Sequence, residues 1–324
     1  MMSITAITDA SLTEAAACLK KGGLVAFPTE TVYGLGAIAT DDSAVVKIFA
    51  AKNRPQFNPL ISHFADKDSA LKAGRPNKIA EKLAVHFWPG PLTLILERPA
   101  DSPISLLASA GSDSLAVRVP GHADALRLLG RVGLPVVAPS ANRSGRISPS
   151  EARHVADGLG DKCDIILDGG RCQRGLESTV IDCRGNSPLL LRPGPITLEQ
   201  IYTETGLKVS TPASNPDKNT APLVAPGQLA SHYAPSARVR LNAADIREDE
   251  IFVGFGALPK GVISEFNLSP DGDLHEAAAR LFALMHLADK RGVKSIAFAP
   301  VPMSGLGLAI NDRLARAAAP RMPE

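Results

Sequence analysis

Short apolar runs alternate with amphipathic segments along the chain up to residue 205. Apolar runs bounded by Gly, Pro, Asn or Asp predict strands, and apolar positions three or four residues apart predict helices. The predicted strands cover 24–27, 60–64, 92–96, 114–119, 134–138, 164–167, 178–182 and 189–191, and the predicted helices lie within 11–21, 45–52, 74–85, 122–129, 151–159 and 197–205. This alternation indicates an α/β or α+β domain with a mixed, twisted sheet.

Two local patterns make this prediction more specific. The Ser11 hydroxyl and the Glu14 carboxylate have capping-box spacing, which predicts that the first helix starts at Ser11. Residues 29–36 carry hydroxyl groups and two glycines, and they predict a loop between the first strand and the following helix.

The composition changes at residue 208. Residues 208–227 are rich in Pro, Ser, Asn, Thr and Ala, which predicts a linker. Strands at 239–241, 251–255 and 295–299 then alternate with helices at 274–288 and 305–319, as in a small parallel Rossmann-like sheet. We therefore expect an α/β domain over 1–207, a linker over 208–236 and a second domain over 237–324.

Composition excludes several classes of protein. The 324 residues carry 35 basic and 33 acidic side chains, a net charge of +2, which argues against a general nucleic-acid coat but leaves a local basic pocket open. No apolar run approaches the roughly 20 residues of a membrane span, and the N-terminus lacks a signal-peptide pattern. We expect a cytoplasmic protein without membrane attachment.

The four cysteines form no C-x-x-C pair, so reduced thiols are expected. A zinc site from Cys163, Cys172 and Cys183 is a minor alternative, because their spacing fits no known zinc knuckle. Phosphate-loop, dinucleotide-fingerprint, nucleophile-elbow and H-E-x-x-H motifs are absent from the sequence. A nucleotide site here would be of a less familiar kind.

Lys52 and Arg54 follow a predicted helix and precede Pro55. The two cations could complement the negative end of the helix dipole. Alternatively, a loop stiffened by prolines could aim the guanidinium at a phosphate group.

Other polar groups at strand ends are equally ambiguous. His63 is either a core histidine or a ligand, and Arg118, opposite its valine neighbours, faces either solvent or a polar cleft. Ser140, Asn142 and Ser148 suit turns and helix caps as well as ligand contacts, as do the segments 177–179 and 192–194. Hydroxyls, amides and cations without an evident catalytic base indicate a site that positions and stabilises charge, as adenylyl transfer requires.

A series of motifs across residues 22–195 resembles a known family. In order they are PTETVYGLG, KNRP with NPL-x-x-H, WPGPLT, AVRVP, APSAN, SPS, DGG, EST and LRPG. They are similar to the threonylcarbamoyl-AMP synthases of the YrdC type. SHYAP, at 231–235, and GLGLAINDRLARAA, at 305–318, are similar to the long, two-domain form of that family.

The resemblance implies an open twisted α/β sheet with a large basic cavity, followed by a small Rossmann-like domain. It implies an enzyme that converts L-threonine, bicarbonate and ATP to threonylcarbamoyl-AMP and pyrophosphate, with Mg²⁺ bridging the phosphates rather than a metal held by protein ligands. The product would pass to a tRNA threonylcarbamoyl transferase complex, and any binding of tRNA by this chain would be weak.

The resemblance also implies roles for individual residues. Lys52 and Arg54 would contact the phosphates as catalytic residues, and the segment with His232 and Tyr233 would close over the cavity as a lid. Further nucleotide contacts would come from Asn58, Ser114, Ser140, Asn142, Ser148 and Arg192. The threonine pocket would comprise Thr31, His63, Arg118, Ala138 and Ser178.

Two other functions compete with this one. The first is an RNA-binding module without turnover, against which the near-neutral charge counts. The second is a carbamoyl-transferring relative, whose acylphosphatase-like domain and cysteine-rich zinc fingers have no counterpart in this sequence.

Overall fold

The computed structural model describes residues 4–212, 231–258, 262 and 265–320. Ten strands among them form one sheet, here called the large sheet, in the order β1-β8-β2-β3-β7-β4-β6-β5-β9-β10. The strands are β1 (Ile4–Ala6), β2 (Val25–Phe27), β3 (Gly34–Ile38), β4 (Ile61–His63), β5 (Leu92–Glu97), β6 (Ser114–Arg118), β7 (Val136–Val137), β8 (Ile165–Asp168), β9 (Thr179–Asp182) and β10 (Leu189–Arg192). Parallel and antiparallel pairs both occur, so the predicted mixed sheet is confirmed.

Helices pack on both faces of the large sheet. They are α1 (Asp9–Lys20), α2 (Asp42–Lys52), α3 (Lys67–Lys72), α4 (Lys78–Phe87), α5 (Ala123–Val132), α6 (Ala152–Leu159) and α7 (Leu198–Thr205), with a 3₁₀ turn at Gly160–Lys162. In β2, Val25 and Phe27 join the apolar cluster of α1 and α5, whereas Ala26 joins the cluster of α2 and α4. The alternation follows from the two-residue period of a strand.

Two local predictions are wrong. The first helix begins at Asp9, because Thr8 is its N-cap and forms the reciprocal capping box with Ser11. The predicted loop over 29–36 ends early, since β3 begins at Gly34. A Cβ at Gly36 would lie 2.9 Å from the Phe27 ring, so glycine is needed for the close approach of β2 and β3. Because glycine has a low strand propensity, the sequence pattern did not indicate a strand here.

The C-terminal part contains, in chain order, β11 (Arg238–Arg240), β12 (Glu250–Val253), α8 (Leu274–Lys290), β13 (Ser295–Phe298) and α9 (Leu306–Ala318). The strands pair in parallel in the order β11-β13-β12, which confirms the predicted small parallel sheet. Asp273 caps α8 by accepting hydrogen bonds from the His275 and Glu276 backbone N–H groups at 2.6 and 3.0 Å.

The two parts meet closely along α8. Gly175 has a φ of +67°, and a Cβ there would lie 2.4 Å from the Ala278 carbonyl oxygen, so only glycine fits this backbone contact. Val32, Ile147 and Leu176 share an apolar cluster with the C-terminal helices. The predicted linker falls mostly outside the described residues, at 213–230. Within the described ranges, no helix has the length and apolarity needed to cross a membrane.

Candidate active site

The loop after β2 is folded around the hydroxyl of Thr29. This oxygen accepts hydrogen bonds from the Thr31 and Val32 N–H groups, both at 3.2 Å, and donates to the Val32 carbonyl at 2.6 Å. Side-chain bonds of this kind fix tight turns. The turn directs the Thr31 side chain into a cavity on one face of the large sheet.

Arg118 lies at the C-terminal end of β6 and is buried. It donates hydrogen bonds to the Glu30 carboxylate at 2.6 Å and to the Thr31 hydroxyl at 3.0 Å. A buried charge requires such partners to offset its desolvation. The ion pair with Glu30 therefore holds the guanidinium beside Thr31, at the cavity wall.

His63 faces the same cavity from the adjacent parallel strand, where it is the register partner of Arg118. Its Nδ1 lies 3.1 Å from the Ile61 carbonyl oxygen. Burial, reinforced by the charge of Arg118, lowers the pKa of His63 to about 3. The imidazole is therefore neutral at neutral pH.

A β-bulge aims Arg192 at the cavity. Leu190 pairs with Ile181 and Arg192 pairs with the adjacent Val180, so β10 carries one extra residue. Leu190 packs into the core on the other face of the sheet. Without the extra residue Arg192 would point the same way as Leu190, and the bulge turns it onto the cavity face.

Arg192 is hydrogen-bonded to Ser178, the residue before β9. Its Nε and Nη2 donate to the Ser178 carbonyl at 3.1 and 2.9 Å, and Nη2 lies 3.1 Å from the Ser178 hydroxyl. That hydroxyl is also 2.7 Å from the Thr93 hydroxyl. These contacts fix a hydroxyl and a guanidinium side by side.

Lys52 and Arg54 form a buried cationic corner at the end of α2. The Lys52 ammonium donates to the carbonyl oxygens of Ser140, at 2.5 Å, and Asn142. The Arg54 guanidinium donates to the Pro59 carbonyl at 2.9 Å. Burial, together with the charge of Arg54, holds the pKa of Lys52 well below its ordinary value. These contacts all go to backbone carbonyl oxygens, so the surrounding loops hold both side chains in place, and their contact with a ligand stays a prediction.

Residues 231–234, here called the strap, reach the cavity wall from the C-terminal side. His232 and Tyr233 both line it, with ring centroids 4.1 Å apart in an edge-on arrangement. His232 is buried, and its Nδ1 has no hydrogen-bond partner among the described residues. Burial, followed by the charges of Arg54 and Lys52, holds the pKa of His232 well below its ordinary value.

The cavity contains about 490 Å³ of empty space, including the part open to solvent. The predicted site residues that line it are Thr31, Arg54, His63, Arg118, Ala138, Ser140, Ser178, Arg192, His232 and Tyr233. Further lining residues, to which no role was assigned, are Val32, Ile61, Pro139 and Glu177. Glu177 belongs to the ambiguous segment 177–179, and its place before Ser178 in the EST motif is the signal that points to it.

The other predicted residues lie behind or beside the cavity wall. The Ser148 hydroxyl donates to the Glu177 carboxylate at 2.5 Å, and Ser114 contacts the hydroxyl of Ser112 at 2.8 Å. Asn142 lines a neighbouring groove. Lys52, for which a phosphate contact was expected, is not among the lining residues, and its ammonium donates to the Ser140 and Asn142 carbonyl oxygens. Asn58 is buried, and neither polar atom of its side chain has a partner among the described residues.

The arrangement suits the binding of anions rather than covalent catalysis by a thiol. Burial raises the pKa of Cys163 and of Cys172 to about 12, so both thiols are protonated at neutral pH. The described residues contain no group of three His, Cys, Asp or Glu side chains that could hold a metal ion, so the zinc alternative has no support. Arginines fixed by buried hydrogen bonds can stabilise carboxylate and phosphoryl charge.

Two family models match the chain. The model Sua5_yciO_yrdC, described as telomere recombination, matches residues 17–194. The model described as threonylcarbamoyl-AMP synthase, C-terminal domain, matches residues 196–319.

Several relatives match nearly the whole chain. A threonylcarbamoyl-AMP synthase of Pyrococcus abyssi is 42% identical, over 95% of this chain and 94% of the relative. One of Bacillus subtilis is 40% identical, over 97% of this chain and 94% of the relative. The crystal structure of P. abyssi Sua5 complexed with L-threonine superposes with a TM-score of 0.88 and 37% identity, covering 98% of this chain and 97% of that one.

Proposed function

The chain belongs to the Sua5, YciO and YrdC family, in the form that carries a threonylcarbamoyl-AMP synthase C-terminal domain, and we propose that it makes threonylcarbamoyl-AMP. The substrates are L-threonine, bicarbonate and ATP, and the other products are pyrophosphate and water. One observation carries the proposal: a single cavity is lined by Thr31, His63 and Arg118 and also by two further arginines, Arg54 and Arg192.

Threonine occupies the end formed by Thr31, His63 and Arg118. The guanidinium pairs with the amino-acid carboxylate, a geometry for which arginine is suited. A neutral His63 can hydrogen-bond to the substrate without repelling its amino group. The Ser178 hydroxyl and the Ala138 backbone complete this pocket.

ATP occupies the cationic end. Arg54 and Arg192 face its phosphates, and Lys52 supports the loop of Ser140 and Asn142 from behind. His232 and Tyr233 of the strap cover the nucleotide. Asn58, Ser114 and Ser148 are further nucleotide contacts. To bind the nucleotide, the Ser148 hydroxyl exchanges its hydrogen bond with Glu177 for one with the ligand, and the Ser114 hydroxyl does the same with its bond to Ser112.

The chemistry has two steps. The threonine amine attacks the carbon of bicarbonate-derived carbon dioxide and forms a carbamate, and a proton is released. A carbamate oxygen then attacks the α-phosphorus of ATP, and the bond to the pyrophosphate oxygen breaks. Fixed cations that neutralise charge on the phosphates stabilise such a transition state.

The described residues do not fit a protein-held Mg²⁺ ion. Mg²⁺ prefers oxygen ligands, and the one carboxylate among the cavity-lining residues, Glu177, pairs with Arg313 at 2.8 Å. We assign any Mg²⁺ to the nucleotide itself and derive no step from it.

The partners and location follow from this chemistry. A mixed anhydride of a carbamate and AMP is reactive, so it passes to a complex that transfers the threonylcarbamoyl group to tRNA. All four cysteines are free, which suits a cytoplasmic protein.

Isotope labelling tests the proposal directly. With ¹⁴C-bicarbonate and α-³²P-ATP, an adenylate that carries both labels should form only when threonine is present, together with unlabelled pyrophosphate. Pyrophosphate release without threonine would contradict the proposal. Turnover of carbamoyl phosphate instead of threonine and bicarbonate would favour a carbamoyl-transferring relative.

A further inference from the structure

Arg313 is the largest of the fully buried side chains among the described residues. It belongs to α9 in the C-terminal part, yet its guanidinium contacts groups of the N-terminal part. Burying a charge is costly unless it is paired and hydrogen-bonded. Its partners therefore indicate what the charge stabilises.

Two of the partners, Glu177 and Pro193, are the chain neighbours of Ser178 and Arg192 at the cavity. Arg313 Nε donates to the Glu177 carboxylate at 2.8 Å, and Nη1 donates to the Pro193 carbonyl at 3.0 Å. Glu177 precedes Ser178, and Pro193 follows Arg192. One guanidinium thus joins the two loops whose serine and arginine form a fixed pair.

Glu177 itself is held on both sides. One carboxylate oxygen accepts from Arg313, and the other accepts from the Ser148 hydroxyl. Burial works to raise the pKa of Glu177, but the charges of Arg313 and Arg192 and the bond from Ser148 keep it below its ordinary value. The carboxylate is therefore ionised, and the Arg313 charge is the main partner that offsets its burial.

Besides Asp312 of α9 itself, whose carboxylate accepts from Arg313 Nη1 at 2.7 Å, the remaining partner is the strap. The Arg313 guanidinium lies 5.4 Å from the centroid of the Tyr233 ring, within the range of a cation–π interaction. Tyr233 has a φ of +63°, a left-handed conformation that a tyrosine adopts only when its surroundings enforce it. One turn along α9, the Arg316 carbonyl accepts the His232 N–H at 3.2 Å.

The strap is tied to the N-terminal part as well, because the Ala234 N–H donates to the Gly145 carbonyl at 2.8 Å. It is therefore clamped between α9 and the loop after β7.

We infer that Arg313 is a positioning residue of the reaction proposed above: it holds the strap over the cavity and fixes the loops of Ser178 and Arg192. The C-terminal part thereby completes the active site. The expected effect of Arg313 on the reaction rests on the proposed function. Its effect on the position of the strap does not.

The substitution Arg313→Lys tests the inference in the full chain. Lysine keeps a positive charge beside Glu177, but it lacks the planar fork that reaches Glu177, Pro193 and the Tyr233 ring together. Arg291→Lys is the matched control, because Arg291 forms an exposed ion pair with Glu265 elsewhere in the C-terminal part.

Two measurements are needed. In Arg313→Lys, kcat/KM for threonine-dependent pyrophosphate release should fall roughly tenfold or more, as small misplacements of catalytic groups do. Hydrogen exchange of the His232 and Ala234 amides should accelerate by a similar factor of about ten, while that of β2 stays unchanged. Arg291→Lys should match the unsubstituted chain in both.

The inference is overturned if Arg313→Lys leaves both measurements unchanged, if exchange accelerates equally throughout the chain, or if Arg291→Lys gives the same losses. The exchange measurement uses no substrate. An unsubstituted chain that makes no adenylate would contradict the proposed function, whereas unaltered strap exchange in Arg313→Lys would contradict the positioning role.

Discussion

At the scale of single residues, the site depends on charges that the fold has buried. Arg118 and Glu30 form an ion pair of 2.6 Å with both side chains almost fully buried. Glu30 Oε2 has no hydrogen-bond partner among the described residues. Removing the arginine would leave an unpaired buried carboxylate, which typically costs about 3–5 kcal/mol. Truncation of Arg118 would therefore alter both threonine binding and the stability of the fold. A substitution that keeps the positive charge separates the two effects.

We expect Arg118→Lys to weaken threonine binding roughly tenfold or more while the chain stays folded, because lysine cannot give the paired hydrogen bonds of a guanidinium. Isothermal calorimetry with threonine measures the effect. Arg75→Lys, which alters an exposed ion pair with Glu97, is the control and should leave binding unchanged. Equal threonine affinity in Arg118→Lys and the unsubstituted chain would show that Arg118 does not bind the carboxylate.

At the scale of elements, the bulge in β10 and the turn after it decide where Arg192 points. A Cβ at Gly194 would lie 2.4 Å from the Thr179 nitrogen and 2.7 Å from the Glu177 carbonyl oxygen. All of these neighbours are backbone atoms, which cannot rotate away as a side chain can. The absence of a side chain at Gly194 thus permits the close packing of the two loops.

Gly194→Ala should destabilise the chain by about 1–3 kcal/mol, because overpacking forces the backbone to shift, and it should lower kcat/KM by displacing Arg192. Gly130→Ala is the matched control. Gly130 lies within α5, nothing occupies the space of its missing Cβ, and alanine there should stabilise the chain by about 0.5–1 kcal/mol. Urea unfolding measures the free energy of unfolding of both variants. An unchanged free energy of unfolding in Gly194→Ala would disprove the packing argument.

At the scale of the whole molecule, α6 and α8 join the two parts through stacked histidines. The His154 and His286 rings are 3.9 Å apart, and His286 Nε2 lies 3.1 Å from the Ser148 carbonyl. Burial, with the neighbouring imidazole, lowers the pKa of His154 to about 3, and burial lowers the pKa of His286 to about 4. Both rings are neutral in the folded chain at neutral pH.

The sign of the resulting pH dependence follows from linkage. Between pH 6.5 and about 4 the unfolded chain binds protons on these histidines and the folded chain does not, so stability is full above pH 6.5 and falls as the pH falls. His154→Phe keeps the stack without the titrating group. It should reduce the loss of unfolding free energy between pH 6.5 and 4.5 by on the order of 2 kcal/mol.

Urea unfolding at the two pH values measures this difference. His86→Phe, at an exposed position on α4, is the matched control for replacing a histidine by phenylalanine. Identical acid sensitivity in His154→Phe and the unsubstituted chain would show that the stacked pair does not contribute.

Much of the fold follows from local pattern. The strand at 24–27, the helix at 274–288 and the small parallel sheet could be predicted because apolar periodicity and caps act between residues close in sequence. The start of α1 could not be placed, since Thr8 and Ser11 both offer a capping hydroxyl and only the packed structure chooses between them. β3 was hidden because its two glycines have no strand preference of their own.

The amino-acid sequence is sufficient to name most of the polar groups of the site and, through the order of its motifs, the family. Which of these groups meet depends on the tertiary structure. The bulge that turns Arg192 onto the cavity face and the pairing of Arg313 with Glu177 both join residues distant in sequence or depend on strand register. Such contacts form because buried charges and backbone groups must find partners wherever packing brings the chain together, and local periodicity carries no information about those partners.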